Sequence, residues 1–223
     1  ISYQPRFTYH GFRYVELSID PPLPAELAVN VTVENVVGIN VRTAAREQTH
    51  LTIANPLLQK LHSNSWWTEA SGLIGIPNGA AARGERAGWT GDAAFASESE
   101  AVDFDTAAFF AQYLQQLDDL SCHADGTLDN CVPNTDPRRD TLSAQNDPDT
   151  CSDLTSDPSW STVLPTTAWN MWRYYGATNV IQKHYPKLQQ YMATLGSRAN
   201  KSGLANMRCA FGDWNPVVTT PCQ

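Results

Sequence analysis

The apolar residues of this chain change their spacing near residue 43, and few architectures accommodate such a break. Residues 7–17, FTYHGFRYVEL, are rich in aromatic and β-branched side chains, and within residues 26–43, ELAVNVTVENVVGINVRT, Val29, Val31 and Val33 alternate with other residues. Alternation with period two puts successive side chains on opposite faces of an extended chain, so both segments predict strands. The DPPLP between them at 20–24 can continue neither a ladder nor a helix, because proline lacks the backbone N–H, and it predicts a connection.

Beyond residue 43 the spacing is helical. In NPLLQKLHSNSWW, Leu57, Leu58, Leu61 and Ser65 share a face, with Asn55 placed to cap the first turn and Pro56 at the first helical position. Phe110, Tyr113, Leu114, Leu117 and Leu120 recur at three- and four-residue steps, with Asp105 as the candidate cap. Ala168, Met171, Trp172 and Tyr175 form a third stripe, ended by Gly176, and this places Trp169 and Trp172 in the core. A fourth stripe runs through Leu188, Tyr191, Met192 and Leu195, opened by Pro186 and closed by Gly196. The chain therefore predicts a mostly α protein with an N-terminal β segment. Residues 118–158 hold many Asp, Pro, Asn and Ser and predict a long solvated acidic loop, which lacks the alternating Asp pattern of a calcium-binding loop.

Charge and cysteine usage narrow the partners. A formal net charge of -8 across 223 residues argues against nucleic acid or an anionic membrane surface, both of which require a basic face. No apolar run approaches the roughly 18 residues that a membrane span needs. The five cysteines include no CxxC pair, so no thiolate-ligated metal is expected, and the chain is read as needing no cofactor. Cys122 and Cys131 flank a glycine-containing turn and are candidates for a short disulfide loop, Cys209 and Cys222 for another, and Cys151 is left over. With the sequons at Asn30 and Asn200, these signals point to a secreted, extracellular glycoprotein.

The chemistry concentrates in residues 75–95, GIPNGAAARGERAGWTGDAAF. Glycoside hydrolysis needs one carboxylic acid for the leaving oxygen, a second carboxylate, and an apolar platform for the sugar ring. Glu85, Trp89 and Asp92 stand at helical steps that bring all three to one face if the segment is helical, and Gly88 and Gly91 would let backbone approach a ligand. The competing reading pairs Glu85 and Asp92 with Arg83 and Arg86 on a surface turn while Trp89 fills a gap in the core. Spacing leaves both open. Seven tryptophans, among them the adjacent Trp66 and Trp67, add platforms of the kind that sugar clefts use.

The segments PRFTYHGFRYVEL, ANPLLQKLHSNSWW, IPNGAAARGERAGWTGDAAF, FDTAAFF and FGDW occur in the order and approximate spacing of α-L-rhamnosidases of glycoside hydrolase family 78, which the chain resembles over nearly its whole length. Residues 157–176 and the Cys-bounded loop look more like the fungal branch. The resemblance implies that residues 1–45 end a β-sandwich domain and that residues 46–223 begin a partial (α/α)6 catalytic barrel. It further implies an inverting mechanism with Glu85 as general acid, a general base outside this chain, and a sugar site shaped by Arg83, Trp89, Asp92, Trp160 and Trp214. The implied substrate is a rhamnose-containing glycoside. The remainder of the barrel is expected on another chain or on a segment outside this sequence, because four or five helices leave apolar faces uncovered. Gly79 and Gly84 replace two Asp of the family pattern, Ala80, Ala81 and Ala82 replace Cys, Pro and Gln, and Thr162 stands where many members carry Asp. These departures motivate the alternative of a catalytically inactive carbohydrate-binding relative.

Overall fold

The computed structural model describes residues 3–17, 32–79, 86–120, 126–133 and 157–204. The described part is mostly helical: α1 (Pro56–Gly72), α2 (Thr90–Asp103), α3 (Ala107–Leu120), a single turn α4 (Pro158–Ser161), α5 (Val163–Tyr175) and α6 (Thr178–Ser197). A two-residue hairpin of β1 (Leu73–Ile74) and β2 (Ile76–Pro77) turns at Gly75, whose φ of 73° suits a residue without Cβ. The strands expected in residues 7–17 and 26–43 are not formed among the described residues there, which hold only the 3-10 turn Val33–Asn35. A strand needs a ladder partner, and these residues have none among those described. Phe7, Phe12 and Tyr14 accordingly stay exposed.

The helix ends follow local chemistry. Asn55 caps α1 by accepting from the backbone N–H of Leu57 and Leu58, with Pro56 in the first turn. Gly176 ends α5 in the left-handed region at φ 63°. Two expectations fail. Asp105 does not cap α3, since its carboxylate pairs with Arg46 at 3.2 Å. Pro186 lies inside α6 rather than opening it, because the helix begins eight residues earlier at Thr178 and tolerates the one missing backbone donor.

The core lies where α2 and α3 pack on α5, with α6 behind α5 and α1 beside α2. Phe104, Phe110, Tyr113, Leu114 and Leu117 fill it with Val163, Leu164, Ala168 and Met171. The small residues Ala93, Ala94, Ser97 and Ala101 let α2 approach α5 closely, and Asn170 Nδ2 donates to Ser97 Oγ at 3.0 Å inside that contact. The Tyr175 hydroxyl donates to the Phe104 carbonyl (3.0 Å) and accepts from the Thr106 N–H (3.1 Å), fixing the α2–α3 junction. His184 and Lys187 of α6 both pair with Asp118 near the end of α3.

The stripe of Leu57, Leu58 and Leu61 is exposed, with Leu57 75% and Leu61 64% accessible. Two burial expectations are corrected. Trp169 and Trp172 are not core; they stack on each other on the outer side of α5, centroids 4.8 Å apart, with Trp169 55% exposed. Spacing locates an apolar stripe on a helix but not the neighbour that covers it. Finally, residues 126–133 are not solvated: Thr127, Leu128, Asp129, Asn130, Cys131 and Val132 are all buried. The Thr90 hydroxyl and N–H donate to the Asp129 and Asn130 carbonyls, and Asn130 Oδ1 accepts from the Asp157 N–H, so these backbone and amide oxygens are paired internally.

Candidate functional site

The site is built around the start of α2. Trp89 occupies the N-cap position and Asp92 the first turn, where a carboxylate is favoured by the partial positive charge of the helix N-terminus. The buried segment 126–133 buttresses this end. Val132 N–H donates to the Gly88 carbonyl at 2.8 Å, and Trp89 forms an isolated bridge with Cys131. Cys131 is disulfide-bonded, while the expected partner Cys122 and the pair Cys209 and Cys222 lie outside the described residues.

The two glycines read from the sequence as openings for a ligand also admit close contact of the chain with itself. A Cβ on Gly88 would stand 2.0 Å from the Val132 carbonyl oxygen, and one on Gly91 would stand 2.7 Å from the Trp160 indole. Trp160, carried on α4, thereby lies directly over the first turn of α2. Asp157 orients that short helix by accepting from the Ser159 N–H at 2.9 Å.

Between α1 and α2 opens a cleft of about 540 Å³, within the range of small-molecule sites. Asp92, Gly79, Gly91 and Trp160 line it, so the structure brings together two of the expected sugar-site residues, Asp92 and Trp160. Trp89 stands at its edge, its Cδ1 2.9 Å from where a Gly79 Cβ would lie. Glu85, Arg83 and Trp214 lie outside the described residues, as does Asn30; Asn200 is exposed. Trp66 packs on Phe104 in the interior and Trp67 projects outward, so neither lines the cleft. Arg86, which the surface-turn reading paired with a carboxylate, donates to the Tyr9 carbonyl and lies 5.6 Å from the Tyr9 ring centroid. Tyr9, from FTYHGFRYVEL, also accepts from Asn78 Nδ2 and so links that segment to the cleft wall.

The remaining wall was not foreseen. Glu69 of α1, Glu100 of α2 and Asn78 after β2 line the cleft while being only 7%, 3% and 8% exposed. Burial, reinforced by the charge of Glu69, pushes the Glu100 carboxyl up to about 8, and burial raises Glu69 as well. At neutral pH Glu100 is thus largely the neutral acid, able to donate a hydrogen bond. The signal was available on α2, where Asp92, Ala96 and Glu100 repeat at four-residue steps and all face the cleft. No such signal joins Glu69 to Glu100. Among the described residues no group of three His, Cys, Asp or Glu is placed to hold a metal ion, and no helix is long and apolar enough to cross a membrane.

Residues 46–222 match the family model of the bacterial alpha-L-rhamnosidase 6 hairpin glycosidase domain. The chain belongs to this α-L-rhamnosidase family. Among solved structures, the alpha-L-rhamnosidase from Dictyoglumus thermophilum superposes with a TM-score of 0.79 at 33% identity, covering 98% of this chain and 22% of that one. The Streptomyces avermitilis alpha-L-rhamnosidase complexed with L-rhamnose superposes with a TM-score of 0.61 at 24% identity, over 71% of this chain and 14% of that one. A curated Alpha-L-rhamnosidase of Alteromonas sp. (strain LOR) is 30% identical over 214 residues, which is 95% of this chain and 20% of the relative. The chain thus spans about a fifth of the length of the α-L-rhamnosidases it matches. Membership establishes the helices as part of a six-hairpin glycosidase domain, the architecture expected from the resemblance.

Proposed function

We propose that this chain contributes the start of the catalytic barrel of an inverting α-L-rhamnosidase that removes terminal rhamnose from glycosides. The observation that carries the reading is the position of the GERAGWTGD segment in a chain matched by the rhamnosidase family model: it enters α2 at a sugar-sized cleft lined by Asp92 and Trp160. Glu85, seven residues before Asp92 in the same segment, is the general acid that protonates the glycosidic oxygen. The general base that activates water lies outside this sequence. Trp89 and Trp160 supply apolar faces for the ring, Asp92 accepts from a ring hydroxyl, and Arg83 and Trp214 complete the rhamnose pocket. The rest of the barrel, on a segment outside this sequence or on another chain, covers the exposed leucine face of α1 and the paired tryptophans of α5. Residues 1–45 close a preceding β-sandwich domain. Secretion, the disulfides Cys122–Cys131 and Cys209–Cys222, and glycosylation at Asn30 and Asn200 belong to the same proposal.

The test is release of rhamnose from an aryl α-L-rhamnoside by the complete protein and by its Glu85→Gln variant. Turnover by the parent with a loss of a hundredfold or more in the variant is expected, and equal turnover by both would exclude Glu85 as the acid. One observation favours a second reading, a binding relative without activity. Where the family pattern carries Asp, Gly79 has Asp92 Oδ1 and Trp89 Cδ1 both 2.9 Å from the position of an added Cβ, so the site has closed around the glycine. Absence of turnover together with retained rhamnose binding by the complete protein would establish that reading.

A further inference from the structure

The lining of this cleft holds more polarity than folding alone requires. Among the described residues, Glu69 Oε2, Asn78 Oδ1 and Glu100 Oε2 are buried oxygens that meet no hydrogen-bond partner, on three residues from three different segments that line one cleft. Leaving such a group unpaired is destabilising, and buried polar groups in native proteins are almost always satisfied. The neighbourhood does supply partners to other atoms of these side chains: Ser65 Oγ donates to Glu69 Oε1 at 3.2 Å, and Asn78 Nδ2 donates to the Tyr9 hydroxyl. Among the described residues no cation pairs with the three oxygens: His62 pairs with Asp103 (3.4 Å) one turn further along α2, and Arg86 is turned toward Tyr9.

We propose that Glu69, Asn78 and Glu100 form a hydroxyl-reading wall of the rhamnosidase cleft, which takes a neutral sugar through hydrogen bonds to and from its hydroxyl groups. The proposal deepens the function proposed above and rests on that cleft being the sugar site. A sugar hydroxyl both donates and accepts, which suits two carboxyl groups and an amide oxygen. Trp160, which lines the same cleft, offers the apolar surface that the ring needs. An anionic sugar would be disfavoured, because Glu69 and Asp92 already place negative charge around the cleft. Glu69, Asn78 and Glu100 then set specificity without taking part in proton transfer at the glycosidic bond.

The experiment is calorimetric titration of L-rhamnose into the complete protein and into its Glu100→Ala, Asn78→Ala and Glu100→Gln variants. Thermal unfolding confirms that each variant is folded, and kinetics on an aryl α-L-rhamnoside are measured in parallel. Glu100→Ala and Asn78→Ala are expected to weaken rhamnose binding by roughly tenfold to a hundredfold and to raise KM more than they lower kcat. Glu100→Gln keeps a donor and an acceptor and is expected to bind within about threefold of the parent. If either folded alanine variant binds rhamnose as tightly as the parent, or if the parent binds no rhamnose, the proposal is overturned. Failure of the catalytic reading is distinguishable, because it shows as absent turnover by a parent that still binds rhamnose and loses that binding on Glu100→Ala.

Discussion

Glu100→Gln should stabilise this protein at neutral pH and leave its stability in acid unchanged. The folded state holds the Glu100 carboxyl near 8 against an ordinary value of 4.5, through burial and the neighbouring charge of Glu69. Below pH 4.5 both folded and unfolded chains keep the proton, and the group adds no pH dependence. Between 4.5 and 8 the unfolded chain releases the proton while the folded chain retains it, so the unfolded state binds fewer protons and stability falls as pH rises. The slope is about 1.4 kcal/mol per pH unit. At pH 7.5, three units above the ordinary value, the loss reaches about 4 kcal/mol, an upper figure because Glu69 shares in the titration. A glutamine has no proton to lose and escapes the slope. At roughly 2–4 °C per kcal/mol for a domain of this size, the thermal midpoint of Glu100→Gln should exceed that of the parent by on the order of 10 °C at pH 7.5 and match it at pH 4. Differential scanning calorimetry of the complete protein at the two pH values reads this directly. An offset that is the same at both, or a variant less stable at pH 7.5, would refute the assignment of a buried protonated carboxyl.

Three glycine substitutions test the packing around the start of α2. Gly88→Ala places a Cβ 2.0 Å from a backbone carbonyl that cannot move independently; it should cost 3 kcal/mol or more, on the order of severe overpacking, and be seen as a large fall in thermal midpoint or as insoluble protein. Gly91→Ala meets the Trp160 ring at 2.7 Å, so the indole must shift; stability should fall by about 1–3 kcal/mol and KM for an aryl rhamnoside should rise, measured by calorimetry and steady-state kinetics. Gly79→Asp inserts a carboxylate against Asp92 and Trp89 and should lower kcat/KM rather than restore a family contact; a gain in kcat/KM would show that the glycine had removed a contact from an otherwise competent site.

The helices were legible because their signals are local. Asn55–Pro56 at the start of α1 and Gly176 at the end of α5 act within one turn of the backbone, and the stripe Phe110, Tyr113, Leu114 and Leu117 repeats with the helical period. Pro186 misled for the same reason, since a proline that usually opens a helix can be carried inside one when the residues before it are already helical. The segment 126–133 was misread as solvated because its Asp and Asn content is a composition signal. Its burial depends on Thr90 and Asp157, which are remote in sequence and bring complementary hydrogen bonds.

For the site, the sequence by itself determined the helical spacing from Asp92 through Ala96 to Glu100 and the family to which the GERAGWTGD segment belongs. Both are properties of residues that are neighbours along the chain. Only the tertiary structure decided that Gly88 and Gly91 admit Val132 and Trp160, and that Glu69 comes to line the same cleft as Glu100. Close approach and shared burial depend on how separate segments pack. Desolvation and charge then decide how each carboxyl titrates, and neither is written in the residue types alone.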